Sequence, residues 1–150
     1  MPNEWQVPYP VLCITSRSAL DEGACAMLAH LLEKHGIPAW VQPFAAVTSA
    51  KNFKVDTVDA SLVCISYFGS SSKPAHVRYV IRRLRRLMPR AKFVACFWLL
   101  GEDTTKKEEW QTTVGADFVA TSLTEALALC VRESTRPLRH GTQEIVKLVR

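Results

Sequence analysis

The sequence lacks the short motifs by which catalytic and cofactor sites are usually recognised. It contains no GxGxxG, GxSxG or CxxC spacing, and no histidine is paired with a second His or Cys at a metal-ligand spacing. We therefore expect no enzyme activity, no metal and no cofactor. The four histidines, His30, His35, His76 and His140, are interpreted as structural or solvated.

Long apolar runs are also missing. No stretch reaches the roughly 18 residues needed to cross a bilayer, and the first residues lack the basic start and apolar stretch of a secretion signal. The chain has 150 residues, the usual length of one domain, with 48% apolar and 22% charged residues, which suits a packed core. We expect a cytoplasmic globular domain.

The cysteines do not form a disulfide pattern. Their number is odd, and each lies inside an apolar segment, where a free thiol behaves as a small apolar side chain: Cys13, Cys25, Cys64, Cys96 and Cys130. We therefore predict buried thiols, consistent with a reducing compartment.

Apolar runs and helical periodicity alternate along the chain. Strands are predicted at 11–14, 39–42, 61–66, 92–98 and 117–120, with amphipathic helices after four of them. This order predicts a three-layer, doubly wound, parallel five-stranded α/β sheet of the flavodoxin-like order 2-1-3-4-5. The domain would span 11–134, between an extended arm at 1–10 and a tail at 135–150. Only a short or distorted helix is expected within 43–59.

Three helix starts carry the spacing of a capping box, in which a hydroxyl and an acidic side chain lie three residues apart. The pairs are Ser18 with Asp21, Thr105 with Glu108, and Ser122 with Glu125. On the first helix, Leu20, Ala24, Met27, Leu28, Leu31 and Leu32 recur at helical intervals, which predicts one apolar face for packing.

Ligands of open α/β sheets bind outside the carboxyl ends of the strands, where the strand order reverses. For order 2-1-3-4-5 this point lies between the first and third strands. Hydroxyls, basic residues, aromatics and helix N-termini there suit a small polar or anionic ligand. The candidate ligand-binding residues are Thr15, Ser16, Arg17, Ser18, Tyr67, Gly69, Ser70, Ser71, Ser72, Lys73 and Trp98.

The net charge of +5 is concentrated in two blocks, one at 78–92 and one at 132–150. In the first, an arginine-rich face lies opposite an apolar face: Arg78, Arg82, Arg83, Arg85 and Arg86. Such a face is solvated, or it docks on another protein or on anionic lipid headgroups. Nucleic acid is disfavoured, because no recognition motif accompanies the charge.

Several stretches together resemble a known family. They are 10–14, 20–22, 26–29, 31–36, 63–67, 74–79, 82–86, 97–98 and 115–117, within a similarity that runs from Trp5 to Ser134. The chain resembles the soluble C-terminal domain of autoinducer-2 exporter-like permeases of rhizobia and relatives. This implies a cytosolic module on a multi-span inner-membrane protein, with the permease as partner, and the chain as an excised domain or a stand-alone relative.

The expected fold also resembles that of cobalamin-binding domains. Their Asp-x-His-x-x-Gly loop would fall on 18–23, where only Gly23 agrees. Leu20 takes the place of the histidine that ligates cobalt, and leucine has no electron pair to donate. The resemblance therefore does not imply cobalt ligation here.

Three functional hypotheses follow. The first is a non-catalytic ligand-sensing or regulatory domain of a transporter, at the cytoplasmic face of the inner membrane. The second is an interaction module that docks on a protein partner through its arginine-rich helix. The third is a small flavodoxin-like flavoprotein or enzyme. Independently of these hypotheses, a homodimer is a possible assembly.

Overall fold

The structure, a computed structural model, describes residues 5–15, 18–45, 60–68, 74–101 and 103–135. Strands and helices alternate through these residues. Along the chain they are β1 (Val11–Thr15), α1 (Ala19–Lys34), β2 (Ala39–Pro43), β3 (Leu62–Tyr67), α2 (Ala75–Leu87), β4 (Lys92–Phe97), α3 (Thr104–Val114), β5 (Phe118–Ala120) and α4 (Leu123–Thr135).

The five strands form one parallel sheet in the order β2-β1-β3-β4-β5. This confirms the predicted flavodoxin-like topology. The strands at the centre are buried on both faces, which is why they read in the sequence as unbroken apolar runs rather than alternating ones. Because all strands run in one direction, their carboxyl ends share one edge of the sheet, and β1 and β3 are neighbours there.

Two apolar layers cover the two faces of the sheet. Successive residues of a strand point to opposite faces, so Val11 and Cys13 enter one layer while Leu12 and Ile14 enter the other. The first layer is closed by α1 and α4, the second by α2 and α3. The apolar face predicted for α2 is buried at Val77, Val80, Ile81 and Leu84, and at Met88 just after the helix, whereas Leu87 in the same predicted face is half-buried.

One of the three predicted capping boxes is complete, at Ser18, and one is half formed, at Ser122, where the Glu125 carboxylate accepts from Thr121 and Lys107 instead. Ser18 caps α1 reciprocally with Asp21, and the Ser122 hydroxyl accepts from the backbone N–H of Glu125 at 3.1 Å. The prediction that Thr105 opens α3 was wrong. Asp103 caps this helix, and its carboxylate accepts from the backbone N–H groups of Thr105 (3.0 Å) and of the next residue. A carboxylate satisfies two orphan donors at once and favours the positive helix end.

The predicted N-terminal arm contributes to the core. Trp5 is only 6% exposed and packs in the layer of α1 and α4. Most of the weakly predicted helix within 43–59, and the tail beyond residue 135, lie outside the described residues. Among the helices that the structure describes, none is both long and apolar enough to cross a membrane.

Candidate functional site

A chain of hydrogen bonds crosses the carboxyl edge of the sheet, where β1 and β3 lie side by side. The indole N–H of Trp98 donates to the Ser66 hydroxyl at 2.7 Å. That hydroxyl donates to Asp21 Oδ1 at 3.3 Å, and the Ser18 hydroxyl donates to Asp21 Oδ2 at 2.9 Å. Asp21 and Ser66 are 3% and 1% exposed. A buried carboxylate must keep its hydrogen-bond donors, so Asp21 holds the Ser66 hydroxyl in place. The bond from Trp98 to that hydroxyl therefore fixes the orientation of the indole ring.

Asp21 also occupies the N-terminus of α1. Its backbone N–H donates to the Ser18 hydroxyl at 3.1 Å, and the Ser18 N–H points to its carboxylate at 3.4 Å. The exposed Glu22 follows in the same first turn. The positive end of the helix is thus already balanced by the chain's own carboxylates. An external anion would be repelled here, so the sequence-based expectation of an anionic ligand has no support at this helix.

Above the network lies an apolar groove, here called the carboxyl-edge groove, with a volume of about 340 Å³. It runs between the N-terminal turns of α1 and α4. Its lining is Ala19, Leu20, Gly23, Ala24, Met27, Phe68, Trp98, Thr121, Ser122 and Leu123. The rings of Phe68 and Trp98 lie tilted at 6.1 Å between centroids. Large apolar side chains therefore form the walls, with two hydroxyl residues at the end of β5.

The α1 wall of the groove consists of side chains that sequence reasoning assigned to the core. Leu20, Ala24 and Met27 follow the i, i+4, i+7 spacing of one stripe, but Leu20 is 64% and Met27 56% exposed. The expectation that both pack in the core was wrong. The core-facing side of α1 is rotated toward Leu28 and Leu32, which are fully buried. Leu20 and Met27 therefore border the groove and expose apolar surface to solvent.

A second groove of about 410 Å³ lies beside the edge strand β5, between α3 and α4. Its walls are polar, and the ion pair between Lys107 and Glu125 joins the two helices across it. Arg132 and Asp117 also line it. Because Lys107, Glu125 and Asp117 already have charged partners in the chain, and Arg132 lies over the Phe118 ring, the carboxyl-edge groove is the better candidate for a ligand.

The predicted ligand-binding residues do not all meet in this groove. Trp98 forms its wall, and Ser18 supports it through Asp21. Thr15 is 3% exposed and lies in the core, while Tyr67 stacks edge-on with Phe97, at 5.9 Å, on the side of α2 and α3. Ser16, Arg17 and the segment 69–73 lie outside the described residues.

The sequence analysis did not predict the apolar residues of the groove, because its candidates were chosen for hydroxyl, basic or aromatic side chains. Leu20, Met27, Phe68 and Leu123 carry no motif. One signal was present: the apolar stripe of α1 is wider than one packed face needs, since it includes Leu20 and Leu31 as well as Leu28 and Leu32. A stripe of that width indicates a helix with apolar surface left for a further contact.

The arginines of α2 divide into two groups. Arg85 is held by the protein itself: it donates to the Gly115 carbonyl at 2.7 Å and to Asp117 Oδ2 at 3.1 Å, and it lies over the Phe93 ring at 4.8 Å. The other four, Arg78, Arg82, Arg83 and Arg86, are exposed, and we call them the arginine face. Arg85 therefore has a structural role that sequence reasoning did not assign.

The five cysteines are free and buried, as predicted. All of them lie in the layer of α1 and α4. The Cys64 and Cys130 sulfurs are 3.8 Å apart, and Cys25 donates to the Ile14 carbonyl at 3.5 Å. Contact with Cys13 is the largest cause that raises the pKa of Cys25 and of Cys64 above that of a free thiol. Burial adds to it for Cys25, and contacts with Cys130 and Cys96, followed by burial, add to it for Cys64. Both therefore stay protonated and unreactive at neutral pH.

Within the described residues, no group of three or more His, Cys, Asp or Glu side chains is arranged to hold a metal ion. The thiol cluster includes all five cysteines, yet it is surrounded by apolar side chains such as Leu28 and Val94. We interpret it as packing of small polarisable side chains.

Comparison with solved structures supports the fold. A cobalamin-binding protein from Desulfitobacterium hafniense matches 86% of this chain with a TM-score of 0.61 and 17% identity. This chain covers 59% of the length of that protein. A protein described as pilus assembly-related from Burkholderia pseudomallei matches 86% of the chain, which covers 92% of that protein, with a TM-score of 0.52 and 16% identity.

A pilus assembly protein from Burkholderia thailandensis matches 84% of the chain, which covers 98% of that protein, with a TM-score of 0.52 and 17% identity. These likenesses establish a flavodoxin-like fold. No family model and no curated protein matches the chain, so the resemblance to permease domains has no support from them.

Proposed function

We propose that this chain is a non-catalytic binding domain that takes a small molecule with a flat, neutral, apolar part in the carboxyl-edge groove. The observation that carries the proposal is the α1 stripe. Leu20 and Met27 are more than half exposed although they face Trp98, whose ring plane is fixed by Ser66. Exposed apolar side chains that converge on one concave site are typical of a ligand site.

The chemistry of the walls limits the ligand. The indole N–H of Trp98 is already engaged by Ser66, so its ring face is the part available for stacking. Thr121 and Ser122 offer hydroxyls at one end. Asp21 and Glu22 oppose negative charge. A volume of about 340 Å³ is at the lower end of the usual range for ligand pockets, which suits one or two fused rings.

Cobalamin, which the Desulfitobacterium neighbour binds, is a second ligand to consider. Here Leu20 stands where cobalamin-binding domains have the cobalt-ligating histidine, and its side chain borders the groove. A leucine cannot replace an axial ligand. We therefore expect the absorption bands of hydroxocobalamin to stay unchanged when the protein is added in excess. A shift of those bands would contradict the ligand class proposed here.

The direct test compares two fluorescent probes that share one ring system. N-phenyl-1-naphthylamine is neutral, whereas 1-anilinonaphthalene-8-sulfonate carries a sulfonate. We expect the neutral probe to bind at least as tightly, because Asp21 and Glu22 repel the sulfonate. Met27→Glu should weaken binding of the neutral probe about tenfold, since it places a carboxylate against apolar rings.

The matched control is Ala26→Glu. It adds the same charge to the next residue of α1, which is exposed and does not line the groove. We expect its probe affinity to change less than about twofold at physiological salt. Equal losses in the two variants, or unchanged binding in Met27→Glu, would remove the groove as the binding site.

We further propose a specific biological role: ligand binding to this domain regulates a transporter, and the domain lies at the cytoplasmic face of an inner membrane. Only the sequence resemblance to exporter-like permease domains supports this role. It predicts that the encoding reading frame, or an adjacent one, specifies a multi-span permease, and that the domain co-purifies with that permease from solubilised membranes. If no such permease is encoded there and none co-purifies, the proposed role in transport is wrong, and only the proposal of a binding domain remains.

A further inference from the structure

Charge is distributed unevenly over the described residues. The segment 75–92 carries seven basic residues and no Asp or Glu. The remaining described residues carry four basic and nine acidic residues. Outside this segment the full sequence carries twelve basic and fourteen acidic residues, so α2 presents concentrated positive charge on a chain that is otherwise nearly balanced. Such a local excess of one sign favours oriented electrostatic docking.

The arginine face has a regular geometry. Arg78, Arg82 and Arg86 are four residues apart, so they form a stripe with steps of about 6 Å along the helix. Arg83 and Tyr79 flank this stripe on one side, and Tyr79, which is 54% exposed, contacts the Phe44 ring. Arg and Tyr are the residue types most enriched at energetic hot spots of protein interfaces.

The arginine stripe lowers the stability of its own helix. Like charges four residues apart destabilise a helix by a few tenths of a kcal/mol per pair. None of Arg78, Arg82 and Arg86 forms an ion pair with any residue in the part of the chain that the structure describes. By contrast, Arg85 on the same helix is paired with Asp117. Unpaired arginines at a regular spacing are a local inconsistency of the kind that marks a contact site.

The residue type is selective as well. All five basic residues of α2 are arginines, whereas four of the six basic residues elsewhere in the described chain are lysines. The planar guanidinium pairs with a carboxylate through two parallel hydrogen bonds, which an ammonium group cannot do. An arginine stripe therefore favours a partner whose carboxylates or phosphates have defined positions. A partner whose negative charge is spread without fixed positions is disfavoured.

The helix is a rigid platform. Its opposite face is fully buried through Val77, Ile81 and Leu84, and Arg85 joins its last turn to the loop before β5. Less ordering entropy is lost when such a surface binds, which favours a specific docking contact.

The surroundings favour a narrow partner. The neighbouring helix α3 packs on the same face of the sheet and exposes two glutamates, Glu108 and Glu109, against one exposed lysine, Lys106. A flat anionic surface, such as a bilayer, would bring these carboxylates close to its own charge. A single helix laid along α2 would contact the arginines and avoid them.

We propose that the arginine face docks an acidic helical segment of a protein partner, one whose carboxylates recur every four residues to match Arg78, Arg82 and Arg86. This inference is independent of the ligand groove, which lies on the other side of the sheet and involves α1 and α4. It assigns the partner by chemistry: Glu or Asp at i, i+4 and i+8, paired with arginine forks along about two turns.

The test uses two labelled alanine-based helical peptides of one composition. In the striped peptide, glutamates recur every fourth residue, whereas in the permuted peptide they surround the helix. Fluorescence anisotropy with the full chain at physiological salt should show the striped peptide binding at least about fivefold tighter. Equal affinities would overturn the proposal, because then only net charge counts.

Variants locate the contact. Arg82→Glu with Arg86→Glu should weaken binding of the striped peptide by about tenfold or more. Arg132→Glu is the matched control, since it reverses an exposed arginine on α4 and should change affinity less than about twofold. If the double reversal unfolds the chain, Arg82→Gln with Arg86→Gln should give a smaller loss in the same direction. Unchanged affinity in a folded variant would overturn the proposal.

Two further probes test other occupants of the same face. Vesicles of phosphatidylcholine with phosphatidylserine, and a single-stranded oligothymidine, should bind more weakly than the striped peptide at equal salt. Tighter binding to either would overturn the acidic-helix assignment and identify the lipid or the nucleic acid as the preferred class. Binding of N-phenyl-1-naphthylamine to the double variant should be unchanged, which separates this result from that of the ligand groove.

Discussion

The two sides of this sheet use opposite kinds of surface. On the side of α1 and α4, apolar side chains remain exposed around a concave groove, and a buried hydrogen-bond network of Ser18, Asp21, Ser66 and Trp98 supports it. On the side of α2 and α3, the exposed surface carries the arginine face. The two sides thus differ in the chemistry of their exposed surface, and the following predictions probe that difference.

The largest expected effect concerns alkaline pH and the thiols, all of which lie on the α1 side. Below pH of about 8.5, Cys25 and Cys64 keep their protons in both the folded and the unfolded chain. Above it, unfolded Cys25 and Cys64 ionise, whereas their raised pKa keeps them protonated in the fold. Stability should therefore fall by about 3 kcal/mol per pH unit above this point.

Urea unfolding under reducing conditions between pH 8 and 10 measures that slope. Cys64→Ala should lower the slope by about half, because one of the two thiols is removed. A slope unaffected by this substitution would show that the thiols of the α1 side do not set the alkaline limit.

The second effect compares two helix caps on opposite sides. Asp21→Ala should cost about 3 kcal/mol, since it removes the carboxylate half of the capping box of α1 and leaves the Ser18 and Ser66 donors without their acceptor. Asp103→Ala, at the exposed start of α3, should cost about 1 kcal/mol. Chemical denaturation measures both, and equal losses would show that the network at the groove adds nothing beyond capping.

The third effect tests the support of the groove wall. Trp98→Phe removes the indole N–H that donates to Ser66 and should cost about 1 kcal/mol. It should also weaken binding of the neutral naphthylamine probe several-fold, because the ring orientation is no longer fixed. Trp110→Phe, on the α3 side, should leave probe affinity unchanged. Similar affinity losses in the two variants would contradict the assigned location.

The smallest effect separates the two groups of arginines on α2. Arg85→Ala should destabilise the fold by about 1 kcal/mol, because the Gly115 carbonyl, Asp117 and the Phe93 ring lose a partly exposed partner. Arg82→Ala should change stability by less than about 0.5 kcal/mol, since its side chain makes no such contact with the residues that the structure describes. Thermal melts of both variants measure the difference, and a larger loss for Arg82→Ala would reverse the assignment.

The sheet was predictable because its strands are buried on both faces. Unbroken apolar runs such as Val11–Thr15 and Leu62–Tyr67 leave little choice of structure, and alternation with helices fixes a parallel order. The start of α3 could not be predicted in the same way, because Asp103 and Thr105 are both suitable N-cap residues and only the backbone conformation decides between them.

The groove was harder to predict than the fold. Periodicity shows that α1 has an apolar stripe, but the direction of its core face depends on contacts with α4 and the sheet, so Leu20 and Met27 could not be separated from Leu28 and Leu32. The role of Arg85 depends on Asp117, 32 residues away. Such long-range pairs follow from the tertiary fold and leave no local pattern.

The most direct measurement is a two-dimensional amide and indole NMR titration of the full chain with N-phenyl-1-naphthylamine. The account predicts that the Trp98 indole resonance shifts together with the amides of Leu20, Met27 and Leu123, while the amides of α2 stay in place. Shifts centred on α2, or spread evenly over both sides of the sheet, would contradict it.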